Sequence, residues 1–298
     1  PVVVNDVTDV LHEMRLRKEP EEIALMERAA AITVAAHEEA RAFARPGRFE
    51  YEVEAAINGR FRRLGASGPS YETIVASGAN ATTLHYVEND RRIAEGDLVL
   101  VDAGCEYEGY AADITRTFPA SGRFTPEQEA VYRIVLSALH AATSKVRPGG
   151  RFQDVHDAAV EVLVDGLLEL GLLEGKRKKA IEKGTYTRFY MHRTSHWLGM
   201  DVHDRGRYHD PKGEWRLLEP GMVLTVEPGL YVRPDEKKVP SSFLGIGVRI
   251  EDDVLVTEDG HRVLTAAAPK SVEAMCARGE KKSAGRRPPT AKPSPEKS

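Results

Sequence analysis

The sequence has little cysteine, no long hydrophobic run and no segment that looks like a secretory signal. Two of its 298 residues are cysteine, too few for a disulfide framework or a four-cysteine zinc site. No apolar stretch approaches the ~18 consecutive residues that a membrane-spanning helix needs. The opening residues PVVVNDVTDV lack the basic start and apolar stretch of a signal peptide. We therefore expect a protein without membrane spans that works in the reducing cytoplasm.

Charge is unevenly distributed along the chain. The whole sequence carries −4, but residues 270–298 contain eight Lys or Arg against three Asp or Glu, a local +5 that leaves −9 for residues 1–269. The basic C-terminal residues are also rich in Pro and Ser and hold almost nothing that could be buried, so they are predicted to be disordered. The acidic remainder argues against a nucleic-acid partner.

Hydrophobic spacing and turn residues predict the main elements. Helices are expected over residues 19–44, 50–64, 125–145, 151–171 and 174–183. Strands are expected at 71–80, in two runs over 97–118 joined by a turn at Glu108 and Gly109, at 222–232 and at 247–257. The grouping of helices and strands indicates an α+β fold.

The sequence repeats itself weakly. The run RPGRFEYEV at 45–53 has a counterpart in RPGGRFQDV at 147–155, and each joins two predicted helices. Residues 95–104 align with 220–229, which places Asp102 over Glu227, and each of these strands is followed by a second strand that contains an acid, Asp113 or Glu251. The repeat predicts two pseudo-symmetric helix-helix-strand-strand halves, with the four acids converging near the axis between them.

Four acids among Val, Leu, Ile and Ala need a compensating cation. A buried carboxylate without a partner costs several kcal/mol, and four together repel one another. The stretch MHRTSHWLGMDVHD at 191–204 offers His192, His196 and His203 as further ligands. Oxygen and nitrogen ligands without a thiolate suit Mn(II), Co(II), Zn(II) or Fe(II), and the excess of carboxylates favours Mn(II). Two carboxylates able to bridge predict two ions.

These residues carry a resemblance to a known family. The strings TLHY, DAGCEYEGYAADITRTF, TSHWLGMDVHD, VLTVEPGLY and GVRIEDD resemble the pita-bread metallopeptidases, and within them the Xaa-Pro aminopeptidase (aminopeptidase P) branch. The resemblance implies a pita-bread fold with a curved antiparallel sheet. It further implies that Asp102 binds one metal ion, that Asp113 and Glu251 bridge both ions, and that His196 and Glu227 complete the ligands of the second.

The resemblance also implies roles around the reacting bond. Glu227 is expected to take up a proton, and His85 in TLHY is expected to stabilise the oxyanion that forms on the substrate carbonyl. His203 and His192 are expected to hold the peptide downstream of the cut.

Two further residues are expected beside the metal ligands. The resemblance implies that Arg249 pairs with Asp102 and orients it, and that Tyr71 in YETIV lies close by. On this basis we expect both residues to belong to the substrate-binding region.

The resemblance covers residues 16–268 and divides the chain into a lead segment (1–15), a catalytic domain (16–268) and a basic tail (269–298). Relatives of this branch carry an N-terminal domain ahead of the catalytic one, whereas about 15 residues precede the first catalytic helix here. The implied activity is release of the N-terminal residue from peptides with proline second, with a homo-oligomer left open. Three alternatives stay open: a prolidase that cleaves Xaa-Pro dipeptides, a methionine aminopeptidase, and a peptide-binding module without metal.

Overall fold

A computed structural model describes residues 7–276 of the chain. Within this range the helices are α1 (Thr8–Leu16), α2 (Pro20–Phe43), α3 (Glu50–Arg63), α4 (Pro126–Thr143), α5 (Phe152–Glu169), α6 (Arg177–Glu182) and α7 (Val272–Cys276). The strands are β1 (Gly68–Pro69), β2 (Ile74–Ser77), β3 (Leu98–Asp102), β4 (Cys105–Tyr107), β5 (Tyr110–Ala111), β6 (Thr115–Pro119), β7 (Val223–Val226), β8 (Gly229–Val232), β9 (Ile246–Arg249), β10 (Asp252–Val256) and β11 (His261–Val263).

The predicted helices begin close to the expected residues because their first turns are specified locally. α2 begins at Pro20, whose fixed φ suits a first helical turn, and the carboxylate of Glu22 accepts the amide proton of Glu19 at 2.8 Å. α4 begins in the same way, with Pro126 directly after the N-cap Thr125. The helices α1 and α7 were not predicted.

Two similar halves are visible in the order and pairing of the elements. In the first half α2 packs on α3, and β3 pairs with β2 and β6. In the second half α4 packs on α5, and β10 pairs with β7 and β11. All of these strand pairs are antiparallel. The arrangement agrees with the predicted pseudo-symmetric α+β fold.

The two halves are joined by hydrogen bonds between β6 and the segment that includes β9. The amide of Glu251 donates to the carbonyl of Thr115 at 3.1 Å. The hydroxyl of Thr117 donates to the Arg249 carbonyl at 2.9 Å and accepts from the Arg249 amide at 3.2 Å. Every residue of β3, β6, β7 and β10 is buried, so this junction lies in the core.

The predicted acids lie where the strands break. Asp102 is the last residue of β3, but Asp113 lies between β5 and β6, Glu227 directly follows β7, and Glu251 lies between β9 and β10. The sequence analysis had placed all four inside strands. In an unbroken strand successive side chains point to opposite faces, and the breaks let these four side chains turn toward one point.

The C-terminal part of the described chain is packed against the core. In place of the predicted disorder, residues 269–276 include α7, whose Val272 and Met275 are buried. The hydroxyl of Tyr132 donates to the Lys270 carbonyl at 2.8 Å, and the Lys270 ammonium pairs with Asp252. The remainder of the predicted tail, 277–298, lies outside the described residues, as do residues 1–6.

Candidate metal centre

The five predicted metal ligands converge where the two halves meet. Asp102, Asp113 and Glu251 are buried, while His196 and Glu227 are partly exposed to a cavity. The Nε2 atom of His196 lies 3.5 Å from Asp113 Oδ2 and 3.7 Å from Glu227 Oε1. Asp113, His196 and Glu251 each offer a ligand atom within 4.8 Å of the others. Ligand bonds of about 2.0–2.2 Å to a shared ion produce separations of this order.

Asp102 is held by a cation and a phenol. The guanidinium of Arg249 donates from Nη2 to Asp102 Oδ2 at 2.5 Å, and the hydroxyl of Tyr71 lies 2.6 Å from Asp102 Oδ1. Burial alone would raise the pKa of Asp102, but the charge of Arg249 and the Tyr71 hydrogen bond bring this pKa below its usual value. Asp102 is therefore a carboxylate at all ordinary pH values.

The Tyr71 hydroxyl links two of the predicted ligands. It also lies 2.5 Å from Asp113 Oδ1, and a phenol has one proton to donate. The single phenol proton is therefore shared between Asp102 Oδ1 and Asp113 Oδ1, and both carboxylates accept from Tyr71. Burial raises the pKa of Asp113, while the hydrogen bonds from His196 and Tyr71 act in the opposite direction.

The remaining carboxyl groups are short of positive charge. Burial raises the pKa of Glu227 to about 7, against the opposing charges of His196 and Arg249. Burial, with the charges of Asp113 and Glu227 added, raises the pKa of Glu251 well above its usual value. Burial lowers the pKa of His196, but the Asp113 hydrogen bond and the Glu227 charge outweigh it and raise that pKa to about 9. Where no cation is bound, protonation of these groups would partly offset the repulsion among the buried carboxylates.

The donor set fits divalent metal. It contains carboxylate oxygens and one imidazole nitrogen, with no thiolate, which is the set that Mn(II), Zn(II), Co(II) and Fe(II) accept. A divalent ion would compensate the charge of these buried carboxylates and favour their deprotonated form. The cluster is therefore suited to bind divalent cations at this point of the fold.

Two further predicted histidines flank the cluster. His85 lies in the loop between β2 and β3, and its backbone is left-handed with φ 52°, a region that non-glycine residues rarely adopt. The ring of His203 meets that of His196 edge-on, with centroids 4.4 Å apart. Burial and the charge of His196 lower the pKa of His203, so His203 is neutral near pH 7.

His192 is fixed by a chain of hydrogen bonds that ends at Asp102. Its Nε2 atom lies 2.8 Å from the Tyr231 hydroxyl, which in turn accepts from Arg249 Nη1 at 3.0 Å. The Nδ1 atom lies 2.8 Å from the Arg193 carbonyl and must donate to it. Burial and the charge of Arg249 lower the pKa of His192 to about 3, so its ring is neutral and accepts the Tyr231 proton.

Two residues in this network were missed by the sequence analysis. Tyr231 connects Arg249 with His192, and the hydroxyl of Thr115 donates to Glu251 Oε2 at 2.7 Å while it accepts from Arg249 Nε at 3.1 Å. The register of β8 and β9 pairs Gly229 with Arg249, which makes Tyr231 and Arg249 diagonal neighbours. Pairing of these two strands is the signal that would have identified Tyr231.

The cluster lies between two spaces. A cavity of about 560 Å³ is lined on one side by His85, His192, His203 and Arg249, and it extends to an aromatic end that includes Trp215. A second cavity of about 310 Å³ lies on the side of Tyr71. His85, Asp102, His196, His203 and Glu227 border both. These five residues are therefore accessible from both cavities, and each cavity adds residues of its own.

Within residues 7–276, none of the helices is long and apolar enough to cross a bilayer.

Comparison with known proteins places the chain in a family. Residues 24–258 match the model of metallopeptidase family M24. The chain is 50% identical over 278 residues to Xaa-Pro aminopeptidase from Escherichia coli K12, an alignment that covers 92% of this chain and 62% of that protein. It is 49% identical over 267 residues to Xaa-Pro aminopeptidase from Haemophilus influenzae, covering 90% and 61%.

Solved structures give the same result. The aminopeptidase PepP of Pseudomonas aeruginosa superimposes with a TM-score of 0.88 at 52% identity, over 90% of this chain and 60% of that one. Aminopeptidase P from E. coli with the inhibitor Pro-Leu superimposes with a TM-score of 0.88 at 51% identity, over 91% and 61%. The chain spans about three fifths of the length of these relatives. It has the pita-bread fold that the sequence predicted, and it belongs to metallopeptidase family M24.

Proposed function

We propose that residues 16–268 form the catalytic domain of an aminopeptidase that releases the N-terminal residue from peptides with proline second. The observation that carries this proposal is the cluster of four carboxyl groups and one histidine, which borders two cavities and contains more carboxylates than Arg249 alone can compensate. The names of the matched relatives, Xaa-Pro aminopeptidases, support the substrate class.

In this proposal Asp102 binds one ion, Asp113 and Glu251 bridge two, and His196 and Glu227 hold the second. Mn(II) is the favoured metal because carboxylates dominate the set, with Co(II), Zn(II) and Fe(II) as alternatives. When bound, the two ions supply Lewis-acid polarisation of the scissile carbonyl and a nucleophile that is active near neutral pH.

Glu227 is proposed to move the proton of the reaction. Where no cation is bound, burial raises its pKa to about 7, so it holds a proton more readily than Asp102 does, and a carboxyl group beside the reacting bond can transfer a proton. It is also partly exposed to both cavities, so its carboxylate can reach a bound substrate.

His85 is proposed to stabilise the negative charge that develops on the substrate oxygen. The side chain borders both cavities, as do the ligands Asp102, His196 and Glu227. A donor that is already in place when charge develops lowers the barrier without reorganisation. The left-handed backbone of His85 is a strain of the kind that persists at functional sites when surrounding contacts hold it.

The two cavities are proposed to divide the substrate at the scissile bond. His192 borders only the larger cavity, and with His203 it would contact the peptide after the cut. The smaller cavity, beside Tyr71 and Asp102, would take the N-terminal residue with its free amine close to the Asp102 carboxylate. A dead end for the chain on this side would make the enzyme an exopeptidase.

Arg249 is proposed to orient both sides of the site. One arm of its guanidinium fixes Asp102, and the other donates to Tyr231, which donates to His192. A single residue thereby couples a metal ligand to a substrate contact.

The proposal includes a cytoplasmic location, supported by two cysteines that are free. The expected partner is a peptide with N-terminal Xaa-Pro, and self-association into a homo-oligomer is included as a proposal.

Peptide cleavage by the purified chain with Mn(II) tests the function. A Xaa-Pro-Pro tripeptide, a Xaa-Pro dipeptide and a Met-Ala peptide are compared by release of the N-terminal amino acid. We expect cleavage of the tripeptide and little of the Met-Ala peptide. Cleavage of the dipeptide alone would identify a prolidase, release of Met a methionine aminopeptidase, and peptide binding without turnover a binding module.

A further inference from the structure

A buried carboxylate on α3 holds the loop that carries His85. Glu50, the first residue of α3, is fully buried. Its Oε1 accepts from the amide and the hydroxyl of Ser77, each at 2.6 Å. Its Oε2 accepts from the hydroxyl of Tyr86 at 2.8 Å and from the amide of Arg91 at 2.9 Å. One side chain thus binds the start, the middle and the end of this loop.

The arrangement depends on a carboxylate. The side-chain amide of Asn80 adds a donor at 3.3 Å from Glu50 Oε1, and Arg91 closes the ring by donating to the Ser77 hydroxyl at 2.7 Å. An ionised carboxylate has about four lone-pair sites and no proton, so it can accept the four shorter bonds, from Ser77, Tyr86 and Arg91, with the Asn80 amide as a longer fifth contact. A glutamine in place of Glu50 would point its amide hydrogens at one or more of these donors, and two donors cannot hydrogen-bond to each other.

The backbone conformation at His85 requires contacts of this kind. The left-handed φ of 52° at this residue is unfavourable for a side chain with a Cβ, and such conformations persist only where neighbouring contacts impose them. The next residue, Tyr86, is buried and bonded to Glu50, while the His85 ring itself faces the two cavities. The Tyr86–Glu50 hydrogen bond therefore anchors the residue that directly follows His85.

A second carboxylate on the same helix acts in the same direction. One turn after Glu50, Glu54 accepts from the side-chain amide of Asn89 at 2.9 Å. Asn89 also has a positive φ of 47° and accepts from the Val75 amide at 2.8 Å. Both non-glycine residues of the loop with a positive φ are thus linked to α3, Asn89 directly and His85 through its neighbour Tyr86.

We propose that Glu50 is a positioning residue that acts through His85, holding its imidazole at the place where the substrate oxygen becomes negative. The proposal rests on the proposed function. A residue that only stabilises the fold would affect turnover whether or not His85 is present. The effect of Glu50 on turnover should require His85.

A double-mutant cycle measures this dependence. We expect Glu50→Gln to lower kcat by about 10- to 100-fold, the order of effect known for small displacements of catalytic groups, with KM changed little. In a His85→Ala background the same substitution should change kcat by no more than about twofold, since the two effects are coupled. An equal loss of kcat in both backgrounds, or no loss in either, would overturn the proposal.

Tyr86→Phe keeps the cycle decisive if Glu50→Gln does not fold. It keeps the ring and removes the hydroxyl, which donates to Glu50 at 2.8 Å and lies 3.2 Å from Asp90 Oδ1. It should lower kcat only while His85 is present. Tyr132→Phe is the matched control, because it removes one buried hydroxyl bond, to the Lys270 carbonyl outside this loop, and should leave kcat unchanged. A Tyr86→Phe effect that matches Tyr132→Phe would contradict the proposal.

The imidazole NMR signals of the metal-free protein give a readout that does not depend on activity. Glu50→Gln should shift or broaden the His85 signals, while those of His37, which is buried against the Ala103 carbonyl at 2.9 Å, should stay unchanged. If the wild type cleaves no Xaa-Pro peptide, the proposed function fails, and this measurement alone decides the role of Glu50. Unchanged His85 signals would then overturn that role.

Discussion

Asp102 and Glu227 occupy equivalent positions in the two halves, yet their surroundings differ. Each ends or follows the matching strand, β3 or β7. Asp102 is paired with Arg249 and bonded to Tyr71, which keep its pKa low. Glu227 has no such ion pair with Arg or Lys among the described residues, and burial raises its pKa to about 7.

The difference shows what a repeated fold supplies and what it leaves to other residues. The repeat provides two acids near one axis. The residues around each acid then set how strongly it holds a proton: Arg249 and Tyr71 lower the pKa of Asp102, whereas burial raises that of Glu227. Both acids are proposed metal ligands, and the proposed proton transfer is assigned to the acid with the higher pKa.

The largest loss is expected when a ligand shared by both halves is removed. Glu251→Ala should abolish binding of both metal ions and reduce peptide cleavage to the assay background, because Glu251 is the proposed bridge and its partners Asp113 and Glu227 would then face one another without it. Metal analysis after dialysis and a cleavage assay measure the effect. Asp165→Asn, an exposed carboxylate paired with Arg177, is the control, and retained cleavage by Glu251→Ala would refute the site.

The two equivalent acids should fail in different ways. Glu227→Gln is expected to lower kcat by about 10³-fold, within the range of general acid–base effects. Asp102→Asn should mainly weaken metal binding, so that higher Mn(II) concentrations recover part of its activity. Steady-state kinetics over a range of Mn(II) concentrations separate the two. Recovery of Glu227→Gln by metal and not of Asp102→Asn would invert the comparison.

Removal of the cation should make Asp102 resemble Glu227. Arg249→Met deletes the charge that lowers the Asp102 pKa, and it should weaken metal binding by about 10- to 100-fold, as the loss of a residue that orients a ligand does. Calorimetric titration with Mn(II) gives the affinity. Arg133→Met, at an exposed arginine paired with Glu129, serves as the control, and equal affinities in both variants would rule out an orienting role.

The smallest effect is a pH dependence of stability in the metal-free protein. The pKa of His196 is raised from 6.5 to about 9, so its protonation stabilises the folded state fully below about pH 6.5 and this contribution is lost as pH rises through about 9. Glu251, with its raised pKa, changes in the same direction. The melting temperature of the metal-free protein should therefore fall between about pH 7 and 9.

Saturation with Mn(II) should remove that decline, because metal binding requires the deprotonated ligands and becomes stronger as pH rises. Thermal melts with and without Mn(II) over this range make the comparison. A melting temperature of the metal-free protein that rises from pH 7 to 9 would contradict the assignment of the proton to His196.

The sequence predicted the parts of the site that local pattern reveals. Acids beside strand residues are unusual enough to be noticed, and the sequence repeat alone pairs Asp102 with Glu227. The breaks that place Asp113, Glu227 and Glu251 outside the strands could not be predicted, because a polar residue in an apolar run looks the same whether the strand continues or ends.

Residues that act across elements were harder to find. Tyr231 joins Arg249 to His192 only because β8 pairs with β9 in one register, and Glu50 looked like an ordinary acid in the first turn of a helix. Its five donors belong to a loop that lies about 30 residues or more after Glu50 in the sequence. No local sequence pattern indicates that they come close to Glu50. The helix α7 was missed for the same reason, since Val272 and Met275 are buried by tertiary contacts in a segment with basic, Pro-rich sequence around it.

The carboxylates at the junction of the two halves are proposed to hold two divalent ions. Equilibrium dialysis with metal analysis gives the number of Mn(II) ions bound per chain at saturation near pH 8. We expect two ions per chain in the wild type and none in Glu251→Ala. One ion or none in the wild type, or two in the variant, would refute the proposed metal centre.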